Sequence, residues 1–217
     1  MKKCKIAIIA TALLSVVFGC IMVGLMDDIV PIHFGVDGTP DQYGSKYFWL
    51  LLPGITAVLA AVILFVERFS KQDARNVKLG LITVAVLNAM LLVVNVGITL
   101  QIVRFGDGTE GFDAGKIIMP FMGALIVVLG NIAPKSVRNS MFGFRSPWSR
   151  YNDVTWQKSQ RFSGFAMVIA GVLTLVAGLI FEGITNFIIL MSLLMLVLVA
   201  SLLASYRYYK NEVKKGA

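Results

Sequence analysis

The sequence predicts an all-α integral membrane protein of six transmembrane helices with both termini cytoplasmic. Three observations carry that reading. The 217 residues are 57% hydrophobic and 15% charged, with a mean hydropathy of +0.79. Soluble domains hold roughly 45–50% apolar and about 25% charged residues, so both figures depart toward lipid. Six apolar runs reach the roughly 20 residues that a helix needs to cross hydrocarbon, and the Lys and Arg between them alternate from side to side. Two cysteines in a chain of this length exclude a disulfide scaffold, and the high hydrophobicity excludes disorder.

The runs are 6–26, 47–66, 79–103, 117–133, 162–181 and 187–206, and none contains Asp, Glu, Lys, Arg or His. Between them, 17 cations fall in the N-terminus, the second and fourth loops and the C-terminal tail, whereas Lys46, Arg104 and Lys116 alone fall in the other loops. Cytoplasmic loops collect Lys and Arg, which predicts both termini inside a bacterial cell membrane. The net charge of +8 then divides in two. The inner side carries four acids against its 17 cations, and the outer side eight acids against three, for a net −5 outside. The positive charge is thereby topological, and direct nucleic-acid binding is not expected. Cys4 and Cys20 lie on the first helix, sixteen residues or roughly 24 Å apart, too far to pair. The apolar run continues past Cys20, so the first span reads as a retained helix rather than a cleaved signal.

Along the chain, residues 1–78 form a two-span unit with a structured external loop at 27–46. Residues 79–116 hold the third span and an external loop, and 117–217 form a three-span unit with a cytoplasmic loop at 134–161. In the first loop, Pro31 disfavours helix at Val30, so Val30–Phe34 is expected to be extended, and Asp37-Gly38 supplies a tight turn. His33, the sole histidine, lies near four aspartates. His33, Asp37 and Asp41 are an incomplete set for zinc, so no metal or other cofactor is expected, and the loop reads as an outward cap.

The third span carries a polar stripe, Asn88, Asn95 and Thr99, on one helix face. It reads as interhelical hydrogen bonding or, alternatively, as the lining of a path for a hydrophobic solute in a small transporter or channel-like protein. Ala166, Ala170, Thr174 and Gly178 repeat every four residues on the fifth span, a pattern that lets the sixth helix approach closely. No nucleophile–base pair is visible, and no enzyme activity is expected. The 28-residue loop 134–161 carries six cations and one acid among five aromatic residues and Met141. Such a surface suits anionic lipid or a protein partner. From Asn152 a short helix is expected to lead into the fifth span, with Asn152 as N-cap and Asp153 favoured by the helix dipole.

These two loops resemble a known family. Pro31-x-His33-Phe34, then Gly38-x-x-Asp41 and Lys46, resembles the N-terminal half of the SdpI family of bacterial membrane proteins. Gly130-Asn131, Pro134-Lys135, Asn139, Gly143-Phe144-Arg145-Ser146-Pro147-Trp148-Ser149, Trp156 and Arg161 are similar to its second signature, as is the ending Leu203–Lys210. The resemblance implies an immunity protein that protects the cell against a secreted toxic peptide. It also implies a receptor and signal transducer that holds a cytoplasmic transcriptional repressor at the membrane. It points to His33, Phe34, Asp37, Gly38, Asp41 and Lys46 as the external ligand loop. The cytoplasmic partner loop would use Asn131, Asn139, Gly143, Arg145, Pro147, Trp148, Trp156 and Arg161. Phe144, Ser146, Ser149 and Arg150 depart from the family's usual residues.

Overall fold

The computed structural model describes residues 1–35, 39–71, 73–105, 114–139 and 143–216. Its six long helices are each apolar and long enough to cross a membrane. They are α1 (Lys2–Leu25), α2 (Leu51–Phe69), α3 (Ala74–Phe105), α4 (Ala114–Ile132), α5 (Asp153–Ile180) and α6 (Gly183–Gly216). Several exceed the apolar runs. α3 has 32 residues and α6 has 34, or roughly 50 Å for the latter at about 1.5 Å per residue. A hydrocarbon core is about 30 Å thick, so the polar C-terminal turns of α6 extend past it. The expected lead-in helix and fifth span are one continuous rod, because nothing between Asp153 and Phe162 breaks a helix. Its start is set as expected: Asn152 accepts from the Thr155 amide and Thr155 Oγ1 accepts from the Asn152 amide, a reciprocal cap.

Between α1 and α2 the chain forms an antiparallel hairpin, β1 (Ile29–Phe34) and β2 (Pro40–Ser45), so the protein is mostly rather than wholly helical. The extended run around Pro31 is β1. The expected turn residues Asp37 and Gly38 lie outside the described residues. A 3-10 turn, Lys46–Leu50, leads into α2.

Helices α1, α2 and α3 pack on one another; α4 packs on α5 and α5 on α6; α3 also touches α4. The α4–α5 approach is the tightest. A Cβ on Gly123 would enter the backbone of Gly171 and Leu175, and one on Gly130 would enter that of Gly164 and Val168. Gly178 meets Met119 and Pro120 in the same way. The contact residues Gly164, Gly171 and Gly178 repeat every seven positions, as do Gly123 and Gly130. Without side chains the two backbones can approach closely, which is what drives helix association where water cannot. Cys4 and Cys20 are both free thiols.

Candidate functional site

The hairpin end is built from the residues around Pro31. Trp49, delivered by the 3-10 turn, is buried and donates its indole N–H to the Pro31 carbonyl at 2.9 Å. That bond spends one acceptor of the bent strand and pins the hairpin onto an apolar cluster of Met22, Met26, Val30, Ile98, Ile102 and Ala114. Phe34 packs against this cluster, its ring 6.4 Å from Trp49. The polar side of the hairpin faces outward. His33 Nδ1 lies 2.6 Å from Asp41 Oδ1, both well exposed. Lys46 Nζ reaches Asp28 at 2.9 Å and the Met26 carbonyl at 3.2 Å, tying the end of β2 to the end of α1. Of the six residues expected in the ligand loop, the structure brings His33 to Asp41, sets Phe34 at the turn end of β1 and sets Lys46 at the hairpin base. Asp37 and Gly38 are not among the described residues.

Beneath the hairpin lies an apolar cleft of about 380 Å³. Phe34, Phe48 and Trp49 roof it, and its walls come from α2, α3 and α4. The cleft exists because α2 and α4 both flank α3 without packing closely on each other.

The polar stripe of α3 lies elsewhere. Asn88, Asn95 and Thr99 are essentially inaccessible and do not line the cleft. Asn88 donates to the Thr56 carbonyl of α2 at 3.2 Å, and Thr99 donates to the Asn95 carbonyl one turn earlier at 2.7 Å. The stripe therefore sits within helix packing, with one bond joining α3 to α2.

At the opposite end, residues 143–161 fold into a hydrogen-bonded cap. Gln160 of α5 clasps the Phe144 backbone from both sides. Its Oε1 accepts from the Phe144 amide at 2.9 Å, and its Nε2 donates to the Phe144 carbonyl at 2.7 Å. Gly143 is required beside it: its φ is +98°, and a Cβ there would press on the Gln160 carboxamide. Ser146 and Ser149 each accept from the other's amide, and the Ser146 hydroxyl meets that of Ser205 on α6 at 2.7 Å. Trp148 stacks edge-on against Tyr206, and Tyr151 against Tyr209. Lys158 reaches Glu212 at 3.0 Å. From the other half of the molecule, Asn76 at the start of α3 donates to the Val137 carbonyl and accepts from its amide.

This geometry alters the expected partner surface. Trp156 is only 1% exposed and donates to the Ser136 carbonyl at 3.0 Å, so it is a core anchor and offers no face to a partner. Gly143 is a backbone requirement. Arg145, Pro147 and Arg161 are exposed, Trp148 is half-buried, and Asn131 is exposed with its amide on the Val127 carbonyl. Asn139, Pro147, Arg138 and Arg150 border a shallow recess of about 480 Å³. Arg138 there donates to the carbonyls of Arg150 and Tyr151 and pairs with Asp153. Sequence reasoning passed over Asn76 and Gln160. Nothing local marks a polar residue as a clamp, although Gln160 does stand out as a polar residue beside an apolar run.

Residues 135–205 match the SdpI/YfhL protein family. That region opens at Lys135 and closes at Ser205, the partner of Ser146, so it coincides with the clasped cap and the two helices that hold it. Residues 10–57 match a second family, a domain of unknown function designated DUF1648, and these contain the hairpin and Trp49. The chain is homologous to the immunity protein SdpI of Bacillus subtilis, 25% identical over 211 residues that cover 97% of this chain and 98% of that protein. An uncharacterized protein of Archaeoglobus fulgidus is 33% identical over 64 residues, 30% of this chain and 34% of its own. No solved structure matches.

Proposed function

We propose that this multi-pass membrane protein confers immunity to a secreted antimicrobial peptide. The observation that carries the reading is end-to-end similarity to an immunity protein, including both the hairpin and the clasped cap. The alternation of cations along the chain supports a bacterial cell-membrane orientation with both termini in the cytoplasm and the hairpin outside. In that orientation the hairpin receives the toxic peptide. His33, Phe34, Asp41 and Lys46 are its described residues, and Asp37 and Gly38 belong to the same loop in sequence. The net negative charge of the outer loops raises the local concentration of a cationic peptide.

The cap is the cytoplasmic docking face for a transcriptional repressor, through exposed Arg145, Pro147 and Arg161 and the half-buried ring of Trp148, with Asn131 and Asn139 at its edge. The recess beside Arg138 and Arg150 suits anionic lipid headgroups, each surface cation contributing about 1 kcal/mol. Signalling requires that the peptide bind one helix arrangement better than another.

The test is survival. Expression in a strain sensitive to the cognate peptide raises survival, and His33→Ala or Asp41→Ala lowers it; unchanged survival on expressing the native chain overturns the immunity reading. For signalling, Trp148→Ala releases a tagged repressor from membrane to cytosol while protection persists. Loss of both functions together rejects the division between a receiving hairpin and a docking cap.

A further inference from the structure

We propose that the apolar cleft under the hairpin is the receptor for the apolar face of a cationic, amphipathic helical peptide. This rests on the immunity reading and deepens it by locating the contact. The argument begins with spacing. The α3 wall is Leu87, Met90, Leu91, Val94 and Ile98, and the α4 wall is Ile118, Phe121, Met122 and Leu125. Both follow the i, i+3, i+4, i+7 pattern of a helix face made to meet another helix, yet α2 and α4 leave the space between them open. From Leu87 to Ile98 the wall runs eleven residues, about 17 Å or three helical turns. A volume of about 380 Å³ is room for the side chains of one helix face rather than for a whole helix, which is the geometry of an amphipathic helix laid into a groove. Met90 and Met122 add adaptable side chains, as surfaces that accept varied helices do.

Charge selects the occupant. The hairpin that supplies Phe34 to the roof carries exposed Asp41, and exposed Asp27 and Asp28 lead into it, with Asp28 beside Lys46 and Asp41 beside His33. The loops on that side hold eight acids against three cations. An apolar slot under an anionic rim complements a helix with one apolar and one cationic face. A lipid acyl chain would use the slot and ignore the rim.

The experiment uses the full chain in phosphatidylcholine nanodiscs. The probe is a synthetic 18-residue Leu/Lys amphipathic helix with a nitroxide at its centre, read by quenching of tryptophan fluorescence. The difference between the native protein and Trp49→Phe isolates the Trp49 signal, since Trp148 and Trp156 lie at the other end. The expected result is saturable quenching of Trp49. Its midpoint rises at least threefold in the triple variant Asp27→Asn, Asp28→Asn, Asp41→Asn, and at least tenfold in Val94→Phe and in Leu125→Phe. Those two substitutions fill the slot from opposite walls, so misfolding of one leaves the other to decide.

An equal midpoint for a Glu/Leu peptide of the same length overturns the role of the rim. A midpoint unchanged by both fillers shows partition into bulk lipid and overturns the site. Equal quenching by a nitroxide-labelled lipid that the peptide fails to displace assigns the slot to acyl chains and also overturns it. Full survival of cells carrying a filler variant overturns the cleft while leaving immunity standing. Saturable binding with no protection by the native chain overturns immunity while leaving the cleft standing.

Discussion

The two ends of the bundle solve the same problem, a polar crossing between apolar helices, in opposite ways. At the clasped end the crossing is buried in hydrogen bonds. Gln160 holds Phe144 twice, Asn76 holds Val137 twice, and Ser146, Ser149 and Ser205 form a closed set. At the hairpin end the buried bond from Trp49 to Pro31 pins the paired strands to the bundle, and the ion pairs His33–Asp41 and Lys46–Asp28 reach the surface. Buried polar pairs in a low dielectric resist rearrangement because breaking one strands its partner. Exposed pairs exchange with water at little cost. The clasped end is therefore the rigid one, and the hairpin end, with the open cleft beneath it, is the end able to adapt to a ligand.

The largest test of this contrast lies in the frame both ends share. Gly130→Leu or Gly171→Leu forces α4 from α5, since both sites meet backbone, and removes folded protein; the monodisperse fraction after detergent extraction measures it. Next is Trp156→Ala, which deletes a buried ring and orphans the Ser136 carbonyl. It is expected to destabilise by about 3 kcal/mol, read as a drop in thermal unfolding temperature in detergent. Gly143→Ala follows, at more than about 1 kcal/mol, from a strained φ and contact with Gln160. At the hairpin the expected order of effects reverses. His33→Ala changes stability by less than about 1 kcal/mol but lowers survival against the peptide. A stability loss there as large as that of Trp156→Ala breaks the contrast. The smallest effect is Lys158→Ala at the surface of the cap, less than about 0.5 kcal/mol and without change in survival.

The elements dictated by short-range chemistry were legible in the sequence. Length and hydropathy marked six spans, Pro31 marked an extended strand, and Asn152 with Asp153 marked the start of α5. What depends on partners distant in the chain was not. Ala166, Ala170, Thr174 and Gly178 suggested a small-residue face toward α6, whereas the closest backbone approach runs through Gly164, Gly171 and Gly178 onto α4. The signal was present as glycines seven apart on both helices, hidden by a competing period of four. Trp156 in a basic, aromatic loop reads the same whether buried or exposed; only the Ser136 carbonyl, twenty residues away, separates the two. Asn88 and Asn95 announced a polar stripe, but the bond that places Asn88 within packing goes to Thr56 of a different helix.

The serine pair across α6 has a consequence for biosynthesis. Ser146 meets Ser205, 59 residues later in the chain, and Trp148 and Tyr151 rest on Tyr206 and Tyr209. The ribosome makes the lid of this cap long before it makes the wall the lid closes on. Until α6 has been made and has packed on α5, the aromatic face of the loop has no wall to close on. Closure of the cap then records that the whole chain has arrived.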